Sequence, residues 1–285
     1  EFPIPKEINL QDYKKIKVRF VKSKKQLHGS PFPIAKLFPP QKTATDSSEL
    51  GTKYFFLHIP KTAGTSFRTE LLHLFGEEAI FPNGDDMVRN NNHYPKPKDL
   101  LSSIPEDRRS QIKLVSGHYP LNVKRRLLPQ TKTLVFFREP IARAVSNLKH
   151  LQRHAEFYKD LSLLEIASHG KKVNPEIEDR QSLMCWHGVK KQNFDLEKTK
   201  KNISKMGFVG ITEFYSQSIE LCNKQFQWNL SGKIFANRAE EKNQKEEISE
   251  ELLSFLKEHN QNDIQIYKHA LKLFRERCKQ FDIAL

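Results

Sequence analysis

One lysine, two threonines, a serine and a glycine crowd into Pro60-Lys61-Thr62-Ala63-Gly64-Thr65-Ser66, directly after the apolar run at 54–59. Small residues let backbone N–H groups approach a ligand, hydroxyls donate further hydrogen bonds, and the lysine adds a full positive charge. That composition suits an anion. The run before it, Tyr-Phe-Phe-Leu-His-Ile, has the make-up of a buried parallel strand. Behind it, Phe67, Leu71, Leu74 and Phe75 take up helical spacing. A helix N-terminus after a strand and a short loop adds the dipole's preference for negative charge. The same residue types also serve an ordinary strand–loop–helix turn whose Thr and Ser only cap the helix. The loop is not a Walker loop, because Lys61 precedes Gly64.

A second cation closes another apolar run. Lys132–Phe137 reads as a strand and ends in Arg138-Glu139-Pro140. Pro140 suits a first helical turn, and Ile141, Ala144, Val145, Leu148 and Leu151 keep helical spacing after it. Ser146 then lies about two turns down that helix. Arg138 and Ser146 can reach one anion in the crevice above an open α/β sheet, where such folds bind ligands. Alone, the pair reads equally well as a surface arginine and a solvated serine. Two anion-type strand ends on one sheet imply a ligand with two separated phosphates rather than one triphosphate.

With these motifs the chain resembles the 3′-phosphoadenosine 5′-phosphosulfate (PAPS)-dependent sulfotransferases. Within them it is most similar to the heparan sulfate 2-O- and 6-O-sulfotransferase branch and its bacterial relatives. Residues 60–66 resemble the family's 5′-phosphosulfate loop, and Arg138 with Ser146 its 3′-phosphate site. Ser116-Gly117-His118-Tyr119 resembles a strand-end Gly-His of that branch, and Phe208-Val209-Gly210-Ile211-Thr212-Glu213 its "VGxTE" element. Phe235-Ala236-Asn237-Arg238-Ala239 sits where the family has a loop that closes over the nucleotide, and Asn262-Asp263 with Tyr267 also resembles the family. The likeness spans roughly 53–275. It departs at position 63, where the family often has another small residue, and residues 1–50 match no motif.

The resemblance implies a P-loop-like α/β fold, an open, mainly parallel sheet flanked by helices. Alternating apolar runs and helical periods argue independently for a parallel sheet. It implies PAPS as donor, no required metal, and transfer to a hydroxyl. Lys61, Thr62, Ala63, Gly64, Thr65 and Ser66 would hold the 5′ group, with Lys61 at the bridging oxygen. Arg138 and Ser146 would hold the 3′-phosphate, with Arg238 covering it. His118 is the candidate base, since an imidazole titrates near neutrality and needs no metal. A structural histidine bonded to backbone fits the same position. His58, inside the strand run, reads as structural. His93, His154 and His187 are unranked acceptor contacts, and Glu213 reads as an architectural partner.

Composition bounds the rest. The 285 residues suit one sizeable core, with 51–285 as the enzyme domain and 1–50 as a basic, Pro-containing arm holding a short strand at 16–21. The segment 153–205 reads as irregular, charged and on the acceptor side, and 246–281 as closing helices. No run approaches the roughly 18–20 apolar residues that span a bilayer, and no signal-type region is seen. Three widely spaced cysteines, Cys185, Cys222 and Cys278, lack a C-x-x-C pattern and leave room for one bridge. Asn202-Ile-Ser and Asn229-Leu-Ser match the glycosylation sequon, which an Asn-rich chain yields by chance. The compartment stays open: the resemblance implies cytoplasm for a bacterial enzyme and the Golgi lumen for the ectodomain of an anchored eukaryotic one.

The net charge of +14 speaks of partners. Lysines and arginines bunch between 14 and 25, at Lys124, Arg125 and Arg126, and at Lys198, Lys200 and Lys201. Each bunch alone reads as solvated surface; together they suit an anionic donor and an anionic glycan acceptor. Little aromatic interleaving argues against nucleic acid. Alternatives are a small metabolite, lipid or tyrosine acceptor, a P-loop kinase, or a non-catalytic polyanion-binding protein. The kinase reading suffers because the second strand ends in Arg138 rather than a magnesium-binding Asp.

Overall fold

The computed structural model describes residues 53–170, 173–186, 193–233 and 248–285, and the backbone at 15–16 and 32–33. The chain divides into two units, Glu1–Asp46 and Ser47–Leu285. In the first, Lys15–Ile16 pairs antiparallel with Phe32–Pro33; most of the strand expected at 16–21 lies outside the described residues.

The second unit is built on five parallel strands: β1 (Tyr54–Leu57), β2 (Ile80–Phe81), β3 (Leu114–Gly117), β4 (Lys132–Phe137) and β5 (Phe208–Ile211), in spatial order β2-β3-β1-β4-β5. The fold is thus α/β, with an open, parallel sheet flanked by helices. Its strands are buried on both faces, which is why they read as continuous apolar runs rather than alternating ones. The two-residue β2 was not visible in the sequence, since so short an edge strand carries no period. β1 connects onward to one side of the sheet (β2) and β4 to the other (β5). The chain therefore reverses direction between β1 and β4, and that is where a crevice opens at the C-terminal ends of the strands.

Helix α1 (Gly64–Phe75) follows β1. Phe67, fully buried, meets Phe56 edge-to-face at 5.1 Å and lies 4.9 Å from Phe136. Burying such a ring stabilises by about 1.5–3 kcal/mol, and here it pins the first turn of α1 over the middle of the sheet.

After β2 comes the short α2 (Gly84–Arg89), and α3 (Leu121–Leu127) follows β3. Helix α4 (Pro140–His154) starts with Glu139 as cap, whose carboxylate accepts from the N–H groups of Ile141 and Ala142, and with Pro140 in its first turn.

The stretch 153–205 differs from expectation. It carries α5 (Leu163–Ala167), α6 (Asn174–Ile177), α7 (Arg180–Cys185) and α8 (Leu196–Ser204). All but α8 span at most two turns, too few for an apolar period to register, and α7 is capped by a residue far away in sequence. Helix α9 (Tyr215–Phe226) follows β5, and α10 (Glu250–His259) and α11 (Gln261–Gln280) close the fold. Cys185, Cys222 and Cys278 are free and buried.

Candidate active site

A cleft of about 970 Å³ opens at the strand ends, a volume typical of small-ligand sites. The β1–α1 loop forms one wall. Lys61 (φ 67°) and Ala63 (φ 61°) both adopt the left-handed conformation, folding the loop back over the start of α1. Ala63 is the helix cap and supplies no side-chain hydrogen bond, and the first turn holds no acidic residue. The positive end of α1 is thereby left for a ligand. Lys61, Ala63, Gly64, Thr65 and Ser66 line the cleft. Thr62 does not: it is fully buried, and its hydroxyl donates to the Ile59 carbonyl at 2.9 Å, locking the turn. The Thr62 hydroxyl is thereby spent within the loop and is withdrawn from the expected donors. Gly64 is required by a close approach: a Cβ there would lie 2.0 Å from His58 Cδ2.

Arg138 and Ser146 line the same cleft. Half-buried Arg138 donates from Nη1 to the Lys61 carbonyl at 3.3 Å, so the two cationic strand ends meet. Lys61 forms no ion pair among the described residues. Loss of surrounding water, and then Arg153 and Arg138, hold its ammonium below its ordinary value.

Adjacent strands also bring two histidines together. The register pairs Leu57 with Gly117, so the following residues, His58 and His118, stand side by side with ring centroids 4.5 Å apart. His118 Nδ1 lies 2.7 Å from the His58 carbonyl oxygen. A carbonyl only accepts, so Nδ1 carries the proton and Nε2 keeps its lone pair. Dehydration in the cleft pushes His118 below its ordinary pKa; its bond to the His58 carbonyl works against this and the Arg180 guanidinium adds to it. His58 is buried, and dehydration, His118 and Arg68 push it down to about 3, so it stays neutral. Its ring packs against Gly64 and also lines the cleft.

The far wall comes from α4 and from α6–α7: Ser146, Asn147, His150, Glu176 and Arg180. Asn147 is 5% exposed, and its Nδ2 has no hydrogen-bond partner among the described residues, leaving a donor that costs about 1–3 kcal/mol when unsatisfied. Sequence reasoning missed Asn147 and His150; both lie on the cleft face one turn from Ser146 or less, so helical spacing could have found them. Thr212, Glu213, Tyr215, Ser216 and Gln217 close one end. Glu213 is an architectural partner: its carboxylate accepts from the Glu139 N–H at 2.9 Å and from the Tyr267 hydroxyl at 3.1 Å. Arg238 and His187 lie outside the described residues, and His93 and His154 are not among the cleft residues.

The arrangement offers an uncapped helix N-terminus, two cations on adjoining strand ends and a neutral imidazole with a free acceptor nitrogen. It can bind a bis-anionic ligand and remove a proton beside it. Comparison with known proteins agrees in kind. Residues 51–270 match the model of the "Sulfotransferase family". No curated protein matches. Among solved structures, the crystal structure of a sulfotransferase from Alicyclobacillus acidocaldarius is similar at 14% identity and a TM-score of 0.43, covering 79% of this chain and 98% of that one. The family match runs from the strand before the Lys61 loop into the closing helix, and on that span the chain belongs to the sulfotransferase family.

Proposed function

We propose that the protein is a PAPS-dependent O-sulfotransferase acting on a hydroxyl of an anionic glycan, as the resemblance to the heparan sulfate 2-O-/6-O branch implies. One observation carries the donor reading: Lys61 and Arg138, on adjacent strand ends, face a single cleft beside an uncapped helix N-terminus. Those groups fit a nucleotide with separated 5′ and 3′ charges. Lys61 and 63–66 would hold the 5′ group, with Thr62 contributing main chain only, and Arg138 and Ser146 the 3′-phosphate. When bound, the donor supplies an activated sulfonate. The protein's share is to orient the reactants, to set the Lys61 charge against the phosphate that leaves, and to take the acceptor's proton at His118 Nε2.

The acceptor reading rests on charge beyond what one nucleotide needs. Arg125, Arg126 and Arg153 are exposed. The Lys124 ammonium donates one hydrogen bond to the Pro129 carbonyl at 2.9 Å and keeps its charge.

Thermal-shift and calorimetric titrations with 3′,5′-adenosine bisphosphate, 5′-AMP and ATP test the donor. The bisphosphate should bind best, and Arg138→Ala with Ser146→Ala should erase its advantage over 5′-AMP. Charge-assisted hydrogen bonds are each worth about 1.5–3 kcal/mol, so the loss should exceed tenfold. Equal affinity in the unmutated protein refutes the donor. For the acceptor, affinity for uronic-acid polysaccharides should fall steeply from low to physiological salt; transfer only to small neutral acceptors, flat with salt, refutes the glycan.

Gly64→Ala should cut turnover by about 10²-fold, since a methyl group 2.0 Å from the His58 ring must displace ring or loop. Gly84→Ala, where a methyl meets nothing within 4 Å, should be silent. Steady-state transfer rates of both variants check this, and a normal rate for Gly64→Ala would show that the loop tolerates displacement.

A further inference from the structure

Arg138 lies one residue past the end of β4, so its N–H and C=O are outside the sheet ladder. The side-chain amide of Gln181 takes both. Arg138 N–H donates to Oε1 at 3.0 Å, and Nε2 donates to the Arg138 carbonyl at 2.9 Å. This two-point clamp holds the peptide groups on either side of one Cα, and with them the direction in which the arginine side chain leaves the backbone. Gln181 is fully buried and does not line the cleft.

Gln181 is itself held from the C-terminal end of the chain. Its N–H and that of Ser182 donate to the two carboxylate oxygens of buried Asp263, at 3.0 and 2.7 Å. In return Asp179, in the left-handed conformation (φ 41°), accepts from the Asp263 N–H at 3.0 Å and from Asn262 Nδ2 at 2.7 Å. The starts of α7 and α11 therefore cap each other. Four residues on, Tyr267 donates to Glu213, which accepts from the N–H of Glu139, the residue after Arg138. Asp263 and Tyr267 share one face of α11, whose Ile266, Ala270, Phe274 and Cys278 are buried in the core. Both clamps on the 138–139 backbone thus trace to a single rigid helix.

We propose that Gln181 is a positioning residue for nucleotide selection: it aims the Arg138 guanidinium, and α11 holds the clamp in place through Asp263 and Tyr267. The inference rests on the reading of Arg138 as a 3′-phosphate ligand. It gives the Asn262-Asp263 and Tyr267 elements a task at a site they do not touch.

The experiment measures dissociation constants for 3′,5′-adenosine bisphosphate and 5′-AMP by calorimetry, alongside melting temperatures, for the unmutated protein and for Gln181→Leu, Gln181→Glu and Tyr267→Phe. Gln181→Leu should lose about tenfold or more of the preference for the bisphosphate, with 5′-AMP affinity unchanged, because the guanidinium is misaimed rather than removed. Gln181→Glu keeps an acceptor for the N–H but sets an oxygen against the carbonyl, and should lose a smaller part. Tyr267→Phe should cost about threefold, as befits one hydroxyl. A merely structural role would weaken both nucleotides together, in step with melting temperature. An unchanged preference in folded Gln181→Leu overturns the proposal. If that variant does not fold, an unchanged preference in Gln181→Glu and Tyr267→Phe overturns it instead. No preference in the unmutated protein overturns the donor reading first, and this inference with it.

Discussion

Replacing His118 with alanine is expected to lower turnover by roughly 10²–10⁴-fold, the usual contribution of a general base, while nucleotide affinity survives. The expectation follows from the ring's bonding. The His58 carbonyl at 2.7 Å commits Nδ1 as donor, so the acceptor nitrogen is always Nε2. The pH dependence has a definite sign. His118 must be neutral to accept a proton, and its pKa is held below the ordinary value of 6.5. The rate should therefore be fully developed at neutral pH and fall as pH drops through that lowered value. The acid limb of kcat/KM, measured with saturating donor, should have an apparent pKa below 6.5 and should vanish in His118→Ala. A near-normal rate in that variant would reassign the base. Glu213, with both carboxylate oxygens engaged, is a poor substitute.

Lys61→Ala is expected to lower turnover by a different route. Lys61 faces the cleft without an ion-pair partner among the described residues, which leaves its charge available to the proposed donor. Electrostatic stabilisation of a leaving group by one such donor is typically worth 10²–10³ in rate, and the ground-state contact should be lost as well. Lys61→Ala should therefore weaken nucleotide binding and slow turnover, whereas His118→Ala slows turnover alone. Isothermal titration with 3′,5′-adenosine bisphosphate, paired with single-turnover transfer, separates the two. Nucleotide affinity that is intact in Lys61→Ala would remove the lysine from the donor site. Lys61→Arg should restore part of the binding but little rate, because a planar fork does not replace a compact ammonium.

The amino-acid sequence by itself determined the parts that depend on neighbours along the chain. The runs ending before Lys61 and Arg138 are strands because they are apolar on both faces, and Pro140 and the spacing from Phe67 start helices where expected. The candidate anion loop was legible because lysine, small residues and a helix start are contiguous in it. Strand ends were less so: His58 and Ile59 belong to the same apolar run but lie past β1, since pairing rather than composition ends a strand. Tertiary structure alone decided what depends on contacts between distant segments. Parallel register set His58 beside His118 and let the His58 carbonyl fix the tautomer of the His118 ring. Burial took the Thr62 hydroxyl out of the donor set. Helix α7, too short to show a period, is capped by Asp263 from some 80 positions away. A two-turn helix cannot stabilise itself in water, so no local pattern could have announced the clamp that Gln181 places on Arg138.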